Sequence, residues 1–230
     1  MDILSALIVG AGPGLSASLA RQLAKSDAKI ALAARNTEKL AALCTETGAV
    51  AYACDATDPD QVTKLFTDVE AAQGAPDLVI YNASARAPGP ITDIAPADVQ
   101  RSLAISAFGG FLVAQQAAIR MVKAGRGTIL LTGASASIKG YKNSAAFAMG
   151  KFALRGLAQS MARELAPQGV HVAHIIIDGG IRSDRRPGPP DRPDSLLDPD
   201  AIAEAYLQLA SQKRSAWTWE LELRPWVENF

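Results

Sequence analysis

The order of apolar runs predicts an α/β protein: a doubly wound parallel sheet with helices layered on both faces, α over β over α. Three observations carry that reading. Short apolar runs alternate with segments of helical period along the whole length, with no internal repeat and no linker. The first apolar run ends in a glycine cluster, Gly10-Ala11-Gly12-Pro13-Gly14, and a helical pattern follows at once. Val170 to Ile177 is an almost unbroken β-branched run, as a strand buried on both faces requires.

The elements follow in order. Ile3 to Val9 reads as the first strand. Leu15 to Lys25 reads as a helix with Leu15, Leu19, Ala20 and Leu23 on one face. Lys29 to Ala34 is the second strand. A helix from Thr37 to Cys44 follows, with Thr37 as its expected N-cap. Val50 to Cys54 is the third strand. Asp58 then caps a helix whose first position is Pro59 and whose stripe is Val62, Leu65, Phe66 and Val69. Gly74-Ala75-Pro76 ends it, and Leu78 to Tyr81 is the fourth strand. A long helical region runs from Pro96 to Lys123. Thr128 to Thr132 is the fifth strand, Ser144 to Ala166 a helix and Val170 to Ile177 the sixth strand. Residues 182 to 200, rich in Arg, Asp and Pro, read as a lid over the site. Asp198 to Ser211 is the last helix. Trp217 to Arg224 alternates with period two and makes a seventh strand.

A chain of 230 residues is long enough for one domain, taken as 1–230. Its 23 basic and 23 acidic side chains cancel, which gives no footing for nucleic acid or an anionic membrane. Cys44 and Cys54 fit neither a metal site nor a disulfide framework, so no metal is expected and a cytoplasmic location is the simple reading. The N-terminus lacks a basic flank and a cleavage site and reads as strand, not signal peptide. No apolar segment looks long and uncharged enough to span a bilayer.

Ligand sites in such sheets lie at the carboxyl ends of the strands. After the first strand, Gly10, Gly12 and Gly14 permit positive φ and a close backbone approach, and the following helix aims its unpaired N–H groups at a pyrophosphate. Pro13 fits there, because the first helical N–H groups have no intrahelical partner. After the second strand the sequence is Ala33-Ala34-Arg35-Asn36, without the carboxylate that grips an adenine ribose 2′-OH. A guanidinium there binds a 2′-phosphate, which favours NADP(H) over NAD(H). Asp55 fits either an acceptor for the adenine amino group or a helix-capping turn. Asn82 either braces its loop against the cofactor or satisfies a turn.

Together Gly10-Ala11-Gly12-Pro13-Gly14-Leu15-Ser16, Cys54-Asp55-Ala56-Thr57-Asp58, Tyr81-Asn82-Ala83-Ser84 and the lysine-bearing helix after the fifth strand resemble the short-chain dehydrogenase/reductase family. The resemblance covers nearly the full length. It implies a Rossmann-type sheet with a seventh strand, a nicotinamide cofactor and a homo-oligomer, dimer or tetramer. It places Leu15, Ala56, Ala83, Lys151, Gly180 and Ile181 along the cofactor, and family members with arginine at the position of Arg35 tend to prefer NADP. Ser16 stands where the family commonly has a third glycine.

The family's active site uses an Asn, a Ser, a Tyr and a Lys. Here Phe147-Ala148-Met149-Gly150-Lys151 keeps Lys151 but puts Phe147 at the tyrosine position. The asparagine falls at Ser106 and the serine at Ser135, or at Ala134 with a one-residue slip. Phe147 has no proton to give a developing alkoxide. Tyr141, on the loop before that helix, either supplies one or shapes the pocket, and Arg182 is a candidate to meet an acidic substrate. His171 and His174 alternate along the sixth strand and read as structural. The helix from Ser144 to Ala166 is apolar on more than one face, which suits a subunit contact. The expected activity is NADP(H)-dependent redox chemistry on a small carbonyl or alcohol with an atypical proton donor. The alternative is an NADP(H)-binding sensor or partner protein that kept the cradle and lost the chemistry.

Overall fold

The computed structural model describes residues 3–228. Seven parallel strands form one sheet in the order β3-β2-β1-β4-β5-β6-β7. They are β1 (Ser5–Val9), β2 (Lys29–Ala34), β3 (Val50–Ala53), β4 (Leu78–Tyr81), β5 (Gly127–Thr132), β6 (Val170–Ile177) and β7 (Glu220–Leu223). The chain winds outward from β1 to β3, returns to β4, and winds outward again. The reversal opens a crevice beyond the carboxyl ends of β1 and β4, which pair directly from Ala6↔Leu78 to Val9↔Tyr81.

Each central strand feeds two cores, because successive side chains point to opposite faces. Ala6 and Ile8 pack under α1 (Leu15–Ala24) and α7 (Pro199–Ala210), together with Leu19, Leu23 and Tyr206. Leu7 and Val9 face the other way, toward α3 (Pro59–Gln73), α5 (Gly109–Ala124) and α6 (Ala145–Leu165), with Phe66, Val113 and Leu154. Burying a Leu, Ile or Phe side chain contributes roughly 1.5–3 kcal/mol, so the two faces are of comparable weight.

Helix ends follow local chemistry. Asp58 caps α3 by accepting from the N–H groups of Asp60 at 2.9 Å and Gln61 at 3.1 Å. Thr37 does not cap. A single 3₁₀ turn over Glu38–Leu40 precedes α2 (Ala41–Thr47), and Asn36 Oδ1 takes the Glu38 N–H at 3.0 Å, since its side chain reaches forward in an Asx turn. The long helical region is continuous: α4 (Pro96–Leu103), one π-helical turn over Ala104–Phe108, then α5. By length and composition this 29-residue stretch would pass as a membrane span, contrary to the sequence expectation. Its inner face (Leu112, Val113, Ala117 and Met121) is packed on the sheet.

The tail forms β7 beside β6, in register from His174↔Glu220 to Ile177↔Leu223. Leu221 and Leu223 complete the first core. Glu220 points the other way, to the Arg155 guanidinium at 2.6 and 2.8 Å and to His174 Nδ1 at 3.1 Å. Burial pushes His174 down to about 4, so the ring is neutral near pH 7 and donates from Nδ1. His171 stacks on Trp217 at 4.8 Å, and its Nε2 meets Thr218 O at 2.8 Å. Both histidines fasten the tail to the sheet.

Candidate active site

Of the three glycines after β1, only Gly10 uses a positive φ, +86°. A Cβ on Gly10 would lie 2.4 Å from Ala83 N, because the β1 and β4 turns cross there. Gly12 and Gly14 have ordinary φ, and a Cβ on either would meet nothing within 4 Å. Neither of them lines the crevice at the strand ends. No side chain caps α1, so its first-turn N–H groups face that opening. Leu15 itself is buried in the core and offers only its backbone. Ser16 ties the turns together: its hydroxyl donates to Gly10 O at 3.3 Å and accepts from Asn82 Nδ2 at 2.8 Å. Serine at this position is therefore a connection that a glycine would lack.

A groove of about 560 Å³ runs from this turn along the ends of β2, β3 and β4. Gly10, Ala11, Arg35, Asp55, Ala56, Asn82 and Ala83 all line it, as the sequence places them. Lys39 lies beside Arg35 on the same wall and was missed. No spacing rule signals it, because residues 35–37 are irregular and the 3₁₀ turn begins only at Glu38. Asp55 Oδ1 is already used, accepting from Thr57 N at 2.9 Å and Thr57 Oγ1 at 2.8 Å, so the turn reading of Asp55 is realised.

Several expected residues lie elsewhere. Pro13 and Arg182 line a second hollow of about 360 Å³ between α1 and α7. Arg182 is paired with the Asp198 carboxylate, which compensates the charge offered for an acidic substrate. Gly180 and Ile181 do not line the groove. Gly180 O accepts from Leu197 N at 2.9 Å, Ile181 bridges to Leu197, and Arg186 Nη1 occupies the space where a Gly180 Cβ would project. Tyr141 stands 44% exposed with Lys139 Nζ 5.7 Å from its ring centre.

The remaining candidates converge where β4, β5 and α6 meet. Lys151 is 3% exposed, and its Nζ donates to Thr132 O at 2.7 Å. Burial, then the nearby Arg86 charge, pushes Lys151 down to about 7. Phe147 is one turn earlier on α6, with its ring centre 5.8 Å from Lys151 Nζ and 4.4 Å from Arg86 Cζ. Ser106 sits in the π-helical turn, where an extra residue per turn swings side chains off the regular ladder. Its Oγ accepts from Ala85 N at 3.2 Å, so it holds the loop after β4. Gly150 makes room for it: a Cβ there would lie 2.8 Å from Ser106 Cβ. Ser135 opens a 3₁₀ turn whose third residue, Ser137, accepts from Ala134 N at 3.1 Å. Ser137 is thereby committed to the turn. Among the described residues no group of three His, Cys, Asp or Glu side chains is placed to hold a metal ion.

The sequence profile of short chain dehydrogenases matches residues 5–187. An uncharacterized oxidoreductase of Staphylococcus aureus is 28% identical over 226 residues, 96% of each chain. A crystal structure of a short-chain dehydrogenase from Rhodopseudomonas palustris superimposes with a TM-score of 0.85 at 35% identity, over 96% of this chain and 98% of that one. A metagenomic short-chain oxidoreductase solved in complex with NADP gives 0.84 at 30% identity, over 96% of both chains. The chain belongs to the short-chain dehydrogenase/reductase family. It is an oxidoreductase of that class, built on a nicotinamide-binding sheet.

Proposed function

We propose that this chain is an NADP(H)-dependent oxidoreductase of a small carbonyl or alcohol, in which Phe147 stands at the position of the family's tyrosine. The observation that carries the reading is the groove at the β1/β4 reversal, with the Gly10–Ala11 turn at one end and Arg35 with Lys39 at the other. A dinucleotide phosphate fits that donor set. The α1 N-terminus and the Gly12–Gly14 backbone would hold the pyrophosphate, and Arg35 with Lys39 would hold a 2′-phosphate. Asn82 and Ser16 keep the two walls at a fixed spacing. NADP in the metagenomic relative supports the same assignment.

When bound, the nicotinamide supplies or accepts the hydride. The chain's own part is orientation and proton handling. Lys151, anchored on Thr132 O, would donate to ribose hydroxyls, and Ser135, at the start of the 3₁₀ turn after β5, would offer substrate a neutral hydroxyl. With a proton affinity near neutrality, Lys151 is also the one buried group of this site able to exchange a proton near pH 7. Phe147 supplies shape and a π face. Segment 182–200 serves as a lid hinged on the Gly180–Leu197 and Arg182–Leu197 hydrogen bonds. Exposed Phe108, Phe111, Met149 and Phe152 on the α5 and α6 side suit a homo-oligomer contact. The unpaired thiols of Cys44 and Cys54 agree with a cytoplasmic home.

Calorimetric titration with NADP⁺ and NAD⁺ tests the cofactor. NADP⁺ should bind more tightly, and Arg35→Asp should cost NADP⁺ about 10- to 100-fold, the worth of a charge-assisted contact, while leaving NAD⁺ nearly unchanged. Equal affinities in the unaltered protein would overturn the preference. The sensor reading, favoured by Phe147, is separated by turnover: NADPH binding without consumption across a carbonyl panel would support it.

A further inference from the structure

Arg86 does not line the cofactor groove, yet it stands over the Phe147 ring. It lies in the loop after β4, one residue beyond the groove-lining Ser84 and Ala85. Its guanidinium carbon is 4.4 Å from the centre of the Phe147 ring, and Lys151 Nζ is 5.8 Å from the same point. Arg86 is exposed, and no carboxylate pairs with it among the described residues. Two other cations near the site differ. Arg101, on the groove wall, is paired with Asp98 at 2.9 Å, and Lys139 faces Asp178 at 3.7 Å.

The loop that carries Arg86 is rigidly held. Ala85 N donates to Ser106 Oγ at 3.2 Å, and Ala85 O accepts from Ser102 Oγ at 3.0 Å. Both serines are buried, at 0% and 1% exposure. Beyond Arg86, Ala87 is buried and Gly89 N donates to Asn143 O at 3.1 Å. A cation on a fixed loop, aimed along an aromatic face and left without a counter-ion, is a preorganised anion site. Guanidinium suits it better than ammonium, since the planar group stacks on the ring and still presents its N–H edge outward.

We propose that Arg86 anchors the substrate, and that the substrate is a small oxo acid or hydroxy acid whose carboxylate lies within a few bonds of the reacting carbon. This rests on the oxidoreductase reading for the word substrate. The anion site itself does not. The carboxylate neutralises the uncompensated Arg86 charge, and the reacting carbon then lies over Phe147. In this arrangement Ser102 and Ser106 are positioning residues that act through Ala85.

Oxamate, an unreactive analogue of a 2-oxo acid, tests the site by calorimetry with and without NADPH present. It should bind the unaltered protein, bind Arg86→Gln about 10- to 100-fold more weakly, and bind Arg86→Lys with intermediate affinity. Neutral methyl oxamate should bind the unaltered protein no better than Arg86→Gln binds oxamate. Because Arg86 is exposed, an unchanged circular dichroism spectrum and melting midpoint will show that the variants fold. Absence of oxamate binding, equal affinity in Arg86→Gln, or equal affinity for the neutral analogue would each overturn the proposal. With turnover, Arg86→Gln should raise KM for an oxo acid far more than it lowers kcat, and raise KM for the matched methyl ester far less. Loss of NADPH binding or of all turnover would refute the oxidoreductase reading alone, because the oxamate titration still decides Arg86.

Discussion

Phe147→Tyr puts a phenol where this chain has only a ring, and the surroundings set how large its effect should be. Two cations approach that ring, at 4.4 Å and 5.8 Å from its centre. A full positive charge at about 5 Å and an effective dielectric near 20 favours the phenolate by roughly 3 kcal/mol, or about two pKa units, and Lys151 carries that charge only below about 7. Burial works in the opposite sense, since Phe147 is only 8% exposed. Above that pH Arg86 alone opposes the desolvation cost, so the new phenol should stay protonated, and able to donate, at neutral pH. A positioned acid is worth about 10²- to 10⁴-fold in rate, or about 3–5 kcal/mol off the barrier. The assay is NADPH absorbance against a carbonyl panel, with kcat/KM followed from pH 6 to 10. A gain of at least about 100-fold, together with a new pH limb absent from the unaltered protein, is expected. The hydroxyl should cost little stability if it meets Lys151 or water, and about 1–3 kcal/mol if stranded. A folded variant that binds NADPH normally, yet shows unchanged kcat/KM and an unchanged pH profile, would refute this account of position 147.

Two other perturbations test the frame around it. Gly10→Ala places a Cβ 2.4 Å from Ala83 N at a φ of +86°. It should lower stability by about 1–3 kcal/mol and abolish NADPH binding, measured by melting midpoint and calorimetry; an unshifted midpoint would contradict the turn geometry. Lys151 gives a pH signature. Its folded value is pushed from 10.5 down to about 7, so between those limits the unfolded chain holds more protons and stability rises with pH. The rise should total on the order of 5 kcal/mol, and Lys151→Met should flatten it in urea melts from pH 6 to 10.5. A climb equally steep in the variant would place its source elsewhere.

Much of the site was legible because its residues are bound to local geometry. Gly10, Arg35, Asp55 and Asn82 each follow a strand directly, and a parallel sheet brings all its strand ends to one edge. The assignments that failed depend on what a side chain meets across the fold. Arg182 finds Asp198, sixteen positions away, and Gly180 lies under Arg186. Thr37 yields its cap to the neighbouring Asn36, a competition that spacing does not resolve. Arg86 carries no motif at all. Its meaning depends on Phe147, 61 positions later in the chain, whose ring lies 4.4 Å away.

Residue order alone settles the winding of the sheet, the place of the glycine turn, the lack of an acid directly after β2 and the presence of a phenylalanine four positions before Lys151. Each of these is a statement about residue type at a position fixed by period and order. Which charges stand uncompensated, which hydroxyls are tied up in holding loops, and which side chain fills each gap emerge only when the chain is folded. Those properties come from distances between segments remote in the chain, and electrostatics and packing depend on distance in space rather than separation in sequence.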